Sequence, residues 1–227
     1  MFHSEYTVGQ IGEILKAKII SSVPYESLKI KDILIDSRRL INPDQCLFFA
    51  LQSKRNDGHK YIQELYKKGL IFFVISKPEY IRPELSEAVF ILVEDTTLAL
   101  QQLAAAHRQM FDIPIVGITG SNGKTVIKEW LYQLLYKDKK IVRSPKSYNS
   151  QIGVPLSVWQ MDKSNDLAVF EAGISEPEEM KNLQNIIKPN IGIFTNIGQA
   201  HDENFINQKQ KIGEKLKLFT HVDTLIF

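Results

Sequence analysis

Cysteine is almost absent from this 227-residue sequence: Cys46 stands alone. A single thiol can neither close an internal disulfide nor build a cysteine cluster for zinc, and a reducing compartment follows most simply. A charge excess of one sign is also missing. Twenty-eight Lys+Arg against 26 Asp+Glu leave +2, too little for nucleic-acid binding through bulk charge. Long apolar runs are lacking as well. The clusters Leu70–Ile75 and Ile113–Ile118 are far too short to cross a bilayer, and residues 1–20 mix charges among their apolar positions, unlike a signal-peptide core. The chain reads as cytoplasmic. It holds no internal repeat, low-complexity tract or long Gly/Ser linker. What is present, 44% hydrophobic and 24% charged residues, excludes a disordered chain and is enough to bury one large core or two smaller ones.

The pattern changes character near residue 112. Before it, short β-rich runs at Ile33–Ile35, Cys46–Leu51, Leu70–Ile75 and Ala88–Val93 are bounded by turn formers such as Asn42-Pro43-Asp44 and Asn56-Asp57-Gly58. His59–Lys68 has helical spacing, and Asp95 or Thr96 is placed to cap a helix over Leu98–Phe111. Residues 1–111 are therefore expected to form a small α/β domain, with Asp112-Ile113-Pro114 as the joint. Beyond it, strands at Ile115–Thr119, Ile141–Arg143, Leu167–Glu171, Ile191–Asn196 and Thr224–Phe227 alternate with helices at Lys124–Leu135, Pro177–Ile187 and Gln208–Phe219. That alternation predicts a mostly parallel sheet covered on both faces. Aromatic residues Trp130, Tyr132, Trp159 and Phe170 are expected in the core. An end at Phe227, inside a strand, suggests a piece of a longer protein whose second domain is incomplete.

The sharpest chemical signal is the run Gly117 to Thr125, containing Thr119-Gly120-Ser121-Asn122-Gly123-Lys124-Thr125. An apolar strand enters it and a helix leaves it. Phosphate demands close backbone approach, so glycines stand where side chains would block it, and the helix N-terminus adds free N–H groups and a positive dipole end. Lys124 would reach the outer phosphates of ATP, and the Thr125 hydroxyl would bind Mg²⁺. Isoleucine stands at 118, where the strict spacing wants glycine, and Gly120 takes over in a shorter variant of the loop.

The loop with its helix, TGSNGKTVIKEW from Thr119 to Trp130, resembles the Mur ligases of peptidoglycan synthesis. So do Asn149-Ser-Gln-Ile-Gly-Val-Pro-Leu156, Glu171-Ala-Gly, and the run from Thr195 through His201 to Phe205, in the same order and at similar spacing. Lys128-Glu129 and the Ile-Gly-Val-Pro segment resemble the branch that adds D-alanyl-D-alanine to UDP-N-acetylmuramoyl-tripeptide, and Glu171-Ala-Gly-Ile-Ser175 its racemase-fused form. Asp36-Ser37-Arg38, Cys46–Leu51 and Asn56-Asp57-Gly58-His59 are similar to the family's UDP-sugar-binding domain, so the resemblance covers nearly the whole chain except a C-terminal domain. It implies a UDP-muramoyl-peptide-binding domain over 1–111 and a phosphate-loop ATPase-like domain over 112–227. The implied reaction joins amine to carboxylate at the expense of ATP, through an acyl phosphate.

By the same resemblance Glu171 and His201, alongside Thr125, are metal ligands. Lys124, His201 and Lys215 are catalytic, Lys215 as the family's lysine that carries a carbamate, and Ser37, Arg38 and Asn149 contact the nucleotide-sugar substrate. The residues themselves leave alternatives. Glu171 at a strand end is as readily a surface carboxylate, His201 a loop histidine, and the lysines at 209, 211, 215 and 217 a solvated basic face on which Lys211 and Lys215 compete for one register. Asp36-Ser37 also suits a turn cap. Ser150 departs from the family's paired asparagines and weakens a substrate contact there. Two other functions fit the same loop: a different phosphate-loop enzyme, such as a kinase or folate-type ligase, or a piece that binds ligands without turnover. Asp36-Ser37-Arg38 and the domain before residue 112 count against a simple kinase.

Overall fold

The structure, a computed structural model, describes residues 5–53, 56–198 and 204–227. Its contacts fall into two compact units that divide at Leu103/Ala104. That point lies inside a helix, whereas composition puts the joint at 112–114. The reason is visible in the helix itself: Leu100 and Leu103 are buried in its first half, while His107 in its last turn stacks against Phe111 and Trp159 of the second unit and meets the Met161 carbonyl through Nε2 at 3.0 Å. A helix can serve two cores, so a change in composition need not coincide with a change in packing.

In the first unit a two-stranded antiparallel ribbon, β1 (Tyr6–Thr7) with β3 (Lys29–Ile30), carries helix α1 (Val8–Leu15). Thr7 and Gln10 cap α1 reciprocally, each side chain meeting the other's backbone N–H. The main sheet has the order β2 (Lys18–Ile20), β7 (Val89–Leu92), β6 (Phe72–Ile75), β5 (Cys46–Phe49), β4 (Asp32–Leu34), parallel except for β2. Register places Phe48, Phe73 and Phe90 side by side on adjacent strands, with Phe73 stacked on Phe90 at 5.7 Å and edge-on to Phe48 at 6.4 Å. Each such pair contributes about 0.5–1.5 kcal/mol beyond its buried area. Helix α2 (Ile62–Lys67) covers this face with Ile62 and Leu65. Asp95 caps α3 (Thr96–Arg108), accepting from the backbone N–H of Thr97 and Leu98.

The second unit is a five-stranded, wholly parallel sheet in the order β12 (Thr224–Ile226), β11 (Ile191–Phe194), β8 (Ile115–Thr119), β10 (Leu167–Glu171), β9 (Ile141–Arg143). Strand β8 is central and buried throughout. Helices α5 (Gly153–Val158) and α6 (Glu179–Ile187) pack one face, where α7 (Gln208–Leu216) continues into a 3₁₀ turn over Lys217–Phe219. Arg108 donates to the carbonyls of Ile187 and Lys188, a cation placed where the end of α6 exposes its acceptors. On the opposite face α4 (Lys124–Leu135) sets Ile127 and Leu131 against Val116, Ile118 and Val169.

Two expectations and one alternative reading need correction. Trp130 is not a core residue: it is 61% exposed and shares an outward stripe with Val126 and Leu134, because α4 uses only its Ile127/Leu131 side against the sheet. Tyr132 is half-buried, its ring under the Arg143 guanidinium at 3.9 Å. The lysines of α7 are not one solvated face: Lys211 and Lys215 are buried, whereas Lys209 is exposed.

Candidate active site

Three strands of the second unit end at one edge of the sheet. The 120–123 loop follows β8, Glu171 closes β10, and Thr195–Gly198 follows β11. The C-terminal edge of a parallel sheet, where strand order reverses, is the usual place for ligand groups. Here the reversal is at β8, whose two neighbours are reached by chains running to opposite sides.

The loop is braced from β11. The Thr195 hydroxyl donates to the Asn122 carbonyl at 2.5 Å; the Ser121 and Asn122 N–H groups donate to the Asn196 carbonyl and side-chain oxygen at 2.9 and 3.1 Å. Gly120 at φ +145° and Gly123 at φ +81° take backbone that other residues rarely adopt. A methyl on Gly120 would lie 2.0 Å from the Thr195 hydroxyl oxygen. The Lys124 ammonium turns back over the loop, donating to the carbonyls of Gly120 at 2.8 Å and Ser121 at 3.3 Å. Burial pulls its pKa below the ordinary lysine value, with Glu171 opposing the fall.

Beside the loop lies a buried carboxylate. Glu171 is wholly enclosed, yet one oxygen, Oε2, accepts from the Thr125 hydroxyl at 3.0 Å and from the Asn149 amide at 3.5 Å. Its other oxygen, Oε1, has no hydrogen-bond donor and faces the ammonium of Lys128 at 2.9 Å, a close charge pair without donor alignment. Lys128 is itself fully buried and donates to the carbonyl of Ser144 at 2.7 Å and to that of Lys146. In the sequence Lys128 marks the family resemblance and carries no predicted role. The available signal was its place beside Ile127 and one turn before Leu131, inside the stripe by which α4 meets the sheet.

On the other side of the loop stands Lys215, 3% exposed, its ammonium 3.3 Å from the Gly120 carbonyl. Burial, and then the nearby cations Lys124 and Lys211, lower its pKa from 10.5 to about 8. Lys211 is directed instead to the Gly198 carbonyl at 2.5 Å. Gly120, Lys124, Asn149, Ser150 and Lys215 line a cleft of about 120 Å³. Between pH 8 and 10.5 the unfolded chain holds a proton that folded Lys215 has released, so stability should rise with pH through that window. Urea unfolding at several pH values should show that rise to be steeper for the wild type than for Lys215→Met. Parallel profiles would remove the shift.

Loop residues Thr119 to Thr125, Glu171, Asn149 and Lys215 are thus brought together, with Thr119 donating its hydroxyl to the Ala172 carbonyl at 2.8 Å. Ser150 instead caps the backbone N–H of Gly153 at 3.1 Å. His201 lies outside the described residues. Ser37 and Arg38 belong to the first unit: Ser37 is buried in a 3₁₀ turn capped by Asp36, and Arg38 is exposed and forked onto the Asp36 carboxylate. His59, in the same unit, is fully buried, with Nδ1 2.6 Å from Asp57 and Nε2 accepting the Ser76 N–H, so both nitrogens are committed to the fold.

A glycine loop between a central parallel strand and a helix, followed by a lysine and a hydroxyl and flanked by a strand-end carboxylate, defines a phosphate-loop α/β domain. Two family models match the chain: the Mur ligase middle domain over residues 118–226, and the Mur ligase family catalytic domain over 29–108. The chain belongs to the Mur ligase family. It is 38% identical over 177 residues to the UDP-N-acetylmuramoyl-tripeptide–D-alanyl-D-alanine ligase of Synechocystis, covering 78% of this chain and 38% of the relative. Against the Bacillus subtilis ligase of the same name the figures are 32% over 212 residues, 93% and 45%. Among solved structures, MurF from Acinetobacter baumannii superposes with a TM-score of 0.86 at 27% identity, over 96% of this chain and 47% of the other. MurF ligase from Thermotoga maritima, solved in complex with ADP, superposes with a TM-score of 0.74 at 29% identity, over 85% and 43%. The chain spans less than half the length of these relatives. No helix among the described residues is long and apolar enough to cross a membrane.

Proposed function

We propose that this chain carries the nucleotide-binding part of a cytoplasmic ATP-dependent amide ligase that adds D-alanyl-D-alanine to UDP-N-acetylmuramoyl-tripeptide in peptidoglycan synthesis. In this reading residues 1–111 take the UDP-muramoyl peptide, through Ser37 and Arg38, and residues 112–227 take ATP. The observation that carries it is the braced loop Gly120–Gly123 lying between Lys124, Lys215 and the Thr125–Glu171 contact at one strand edge. The names of the related ligases support the choice of substrates.

In such a reaction the γ-phosphoryl group moves from ATP to the peptide carboxylate, giving an acyl phosphate and ADP. The amine of D-alanyl-D-alanine then attacks the acyl carbon, and phosphate leaves. Lys124 is placed to leave the Gly120 and Ser121 carbonyls and neutralise phosphate oxygens, offsetting the charge that builds on the transferring group. The Thr125 hydroxyl and Glu171 Oε2 form an all-oxygen pair of the kind Mg²⁺ accepts and would be the residues that hold it. Bound there, the ion would neutralise phosphate charge; His201 joins this set by family likeness. Lys215, with its pKa near 8, holds enough neutral amine to take up carbon dioxide, releasing a proton and becoming a carbamate anion. Asn149 would orient the substrate from the rim of the cleft.

Calorimetry with a non-hydrolysable ATP analogue and Mg²⁺ tests the core of this reading. We expect binding by the wild type and affinity about 10–100-fold weaker for Lys124→Met, the loss of one charge-assisted phosphate contact. Equal affinity for both would sink the assignment of the loop. Binding of UDP-N-acetylmuramoyl-tripeptide that Arg38→Ala leaves unchanged would remove Arg38 from the substrate site.

A further inference from the structure

The carboxylate of Glu171 is divided between two unlike neighbours. Oε2 is turned toward the hydroxyl of Thr125 and the amide of Asn149, while Oε1 lies in an enclosed space, 2.9 Å from the ammonium of Lys128 but without an aligned hydrogen bond. That ammonium is not free to move away. The carbonyls of Ser144 and Lys146 hold it, Glu129 Oε1 lies 3.2 Å from it, and its side chain is fully buried. Glu129 is tied in turn to Arg143 at 3.2 Å, and Arg143 to the Tyr132 ring. Lys146, whose carbonyl is one of the two acceptors of this clamp, adopts φ +49°, a left-handed conformation uncommon for lysine.

We propose that Lys128 is a positioning residue that confines Glu171 to one-oxygen coordination and so makes the nucleotide site selective for Mg²⁺ over larger divalent cations. The inference rests on the proposed role of Thr125 and Glu171 as metal ligands, and goes beyond it by assigning a task to a residue outside that pair. An ion reaching Oε1 would meet a fixed positive charge, so only Oε2 is available to it. Mg²⁺ is content with one carboxylate oxygen and retains several waters. Ca²⁺ takes six to eight oxygens and commonly gains from a carboxylate that offers both. A buried cation behind the carboxylate therefore penalises the larger ion far more than the smaller. The same contact holds Glu171 aimed, the work that outer partners of metal ligands generally do.

The test is the ratio of Mg²⁺ to Ca²⁺ affinity of the 227-residue chain, measured by calorimetry with a non-hydrolysable ATP analogue present. In Lys128→Met this ratio should fall about tenfold, chiefly through tighter Ca²⁺ binding. An unchanged ratio in a variant with wild-type circular dichroism overturns the proposal. If Lys128→Met does not fold, isotope-edited infrared spectroscopy of the wild type replaces it, using the carboxylate bands that Glu171→Gln abolishes. A wide splitting between antisymmetric and symmetric stretches with both ions, the mark of one-oxygen binding, supports the proposal; a narrow splitting with Ca²⁺ overturns it. Metal affinities that Glu171→Gln leaves untouched would instead overturn the assignment of Glu171 as a ligand, and with it this inference, which separates the two failures.

Discussion

Glu171→Gln is expected to destabilise the second unit by about 3 kcal/mol, toward the lower end of what breaking a buried ion pair costs. The substitution preserves shape and removes one charge, leaving Lys128 fully buried opposite a neutral amide. The loss stays near the lower end because Lys128 keeps the Ser144 and Lys146 carbonyls and Glu129 at 3.2 Å. The amide oxygen must face the ammonium, which turns the new NH₂ toward Thr125 and Asn149, where an acceptor stood before. Urea unfolding should show a lower midpoint with an unchanged slope. Lys128→Met should cost a similar amount, since it leaves a buried carboxylate without its cation. The double variant should lose clearly less than the sum, because neither partner then remains uncompensated. Strict additivity would mean that the pair, though close, is not coupled. A Glu171→Gln chain as stable as the wild type would mean that the buried pair adds nothing to stability.

The contrast between Lys128 and Lys124 shows what sequence could and could not reveal. Lys124 follows a glycine loop at a strand–helix junction, so the role proposed for it can be read from local spacing alone. Apart from its neighbour Glu129, Lys128 acquires its partners from β10 and from the segment after β9, 16 to 43 residues away, and nothing local announces those. The same division runs through the fold. Strands β5 to β8 and β10 were legible because their apolar runs are buried on both faces, and α3 because Asp95 caps it. Strands β1 and β3, two residues each, and α1 are not legible in the sequence, since such short pieces exist only through one another. Helix α5 escaped notice behind Gly153 and Pro155, although proline is tolerated in a first turn, where its missing N–H has no intrahelical partner to lose. Burial of Lys211 and Lys215 was hidden for a different reason. A lysine-rich helix is ordinarily a wet one, and the loop carbonyls of Gly198 and Gly120, brought from other strands, give these ammonium groups somewhere to go.

Gly120→Ala should cost about 3 kcal/mol or more and abolish nucleotide binding in the same step. Two penalties combine. The backbone at φ +145° is open to glycine and strained by about 1–3 kcal/mol for a residue with a side chain. The added methyl would also lie 2.0 Å from the Thr195 hydroxyl oxygen and 3.1 Å from the Asn196 backbone nitrogen and oxygen. The hydroxyl cannot simply rotate aside, because it holds the Asn122 carbonyl, and Asn196 anchors the Ser121 and Asn122 N–H groups. Relief must come from moving the loop away from β11, and that movement unseats the amides that would surround phosphate. Thr195→Ala separates the two penalties. It removes the atom in the way but not the backbone strain, so the double variant should recover part of the lost stability while leaving Asn122 unbraced and binding weak. Thermal unfolding and analogue calorimetry on the four proteins read both quantities. A Gly120→Ala chain that melts with the wild type and binds the analogue equally well would show that the loop can shift off β11 without cost, and the bracing from Thr195 and Asn196 would then have no part in shaping the phosphate site.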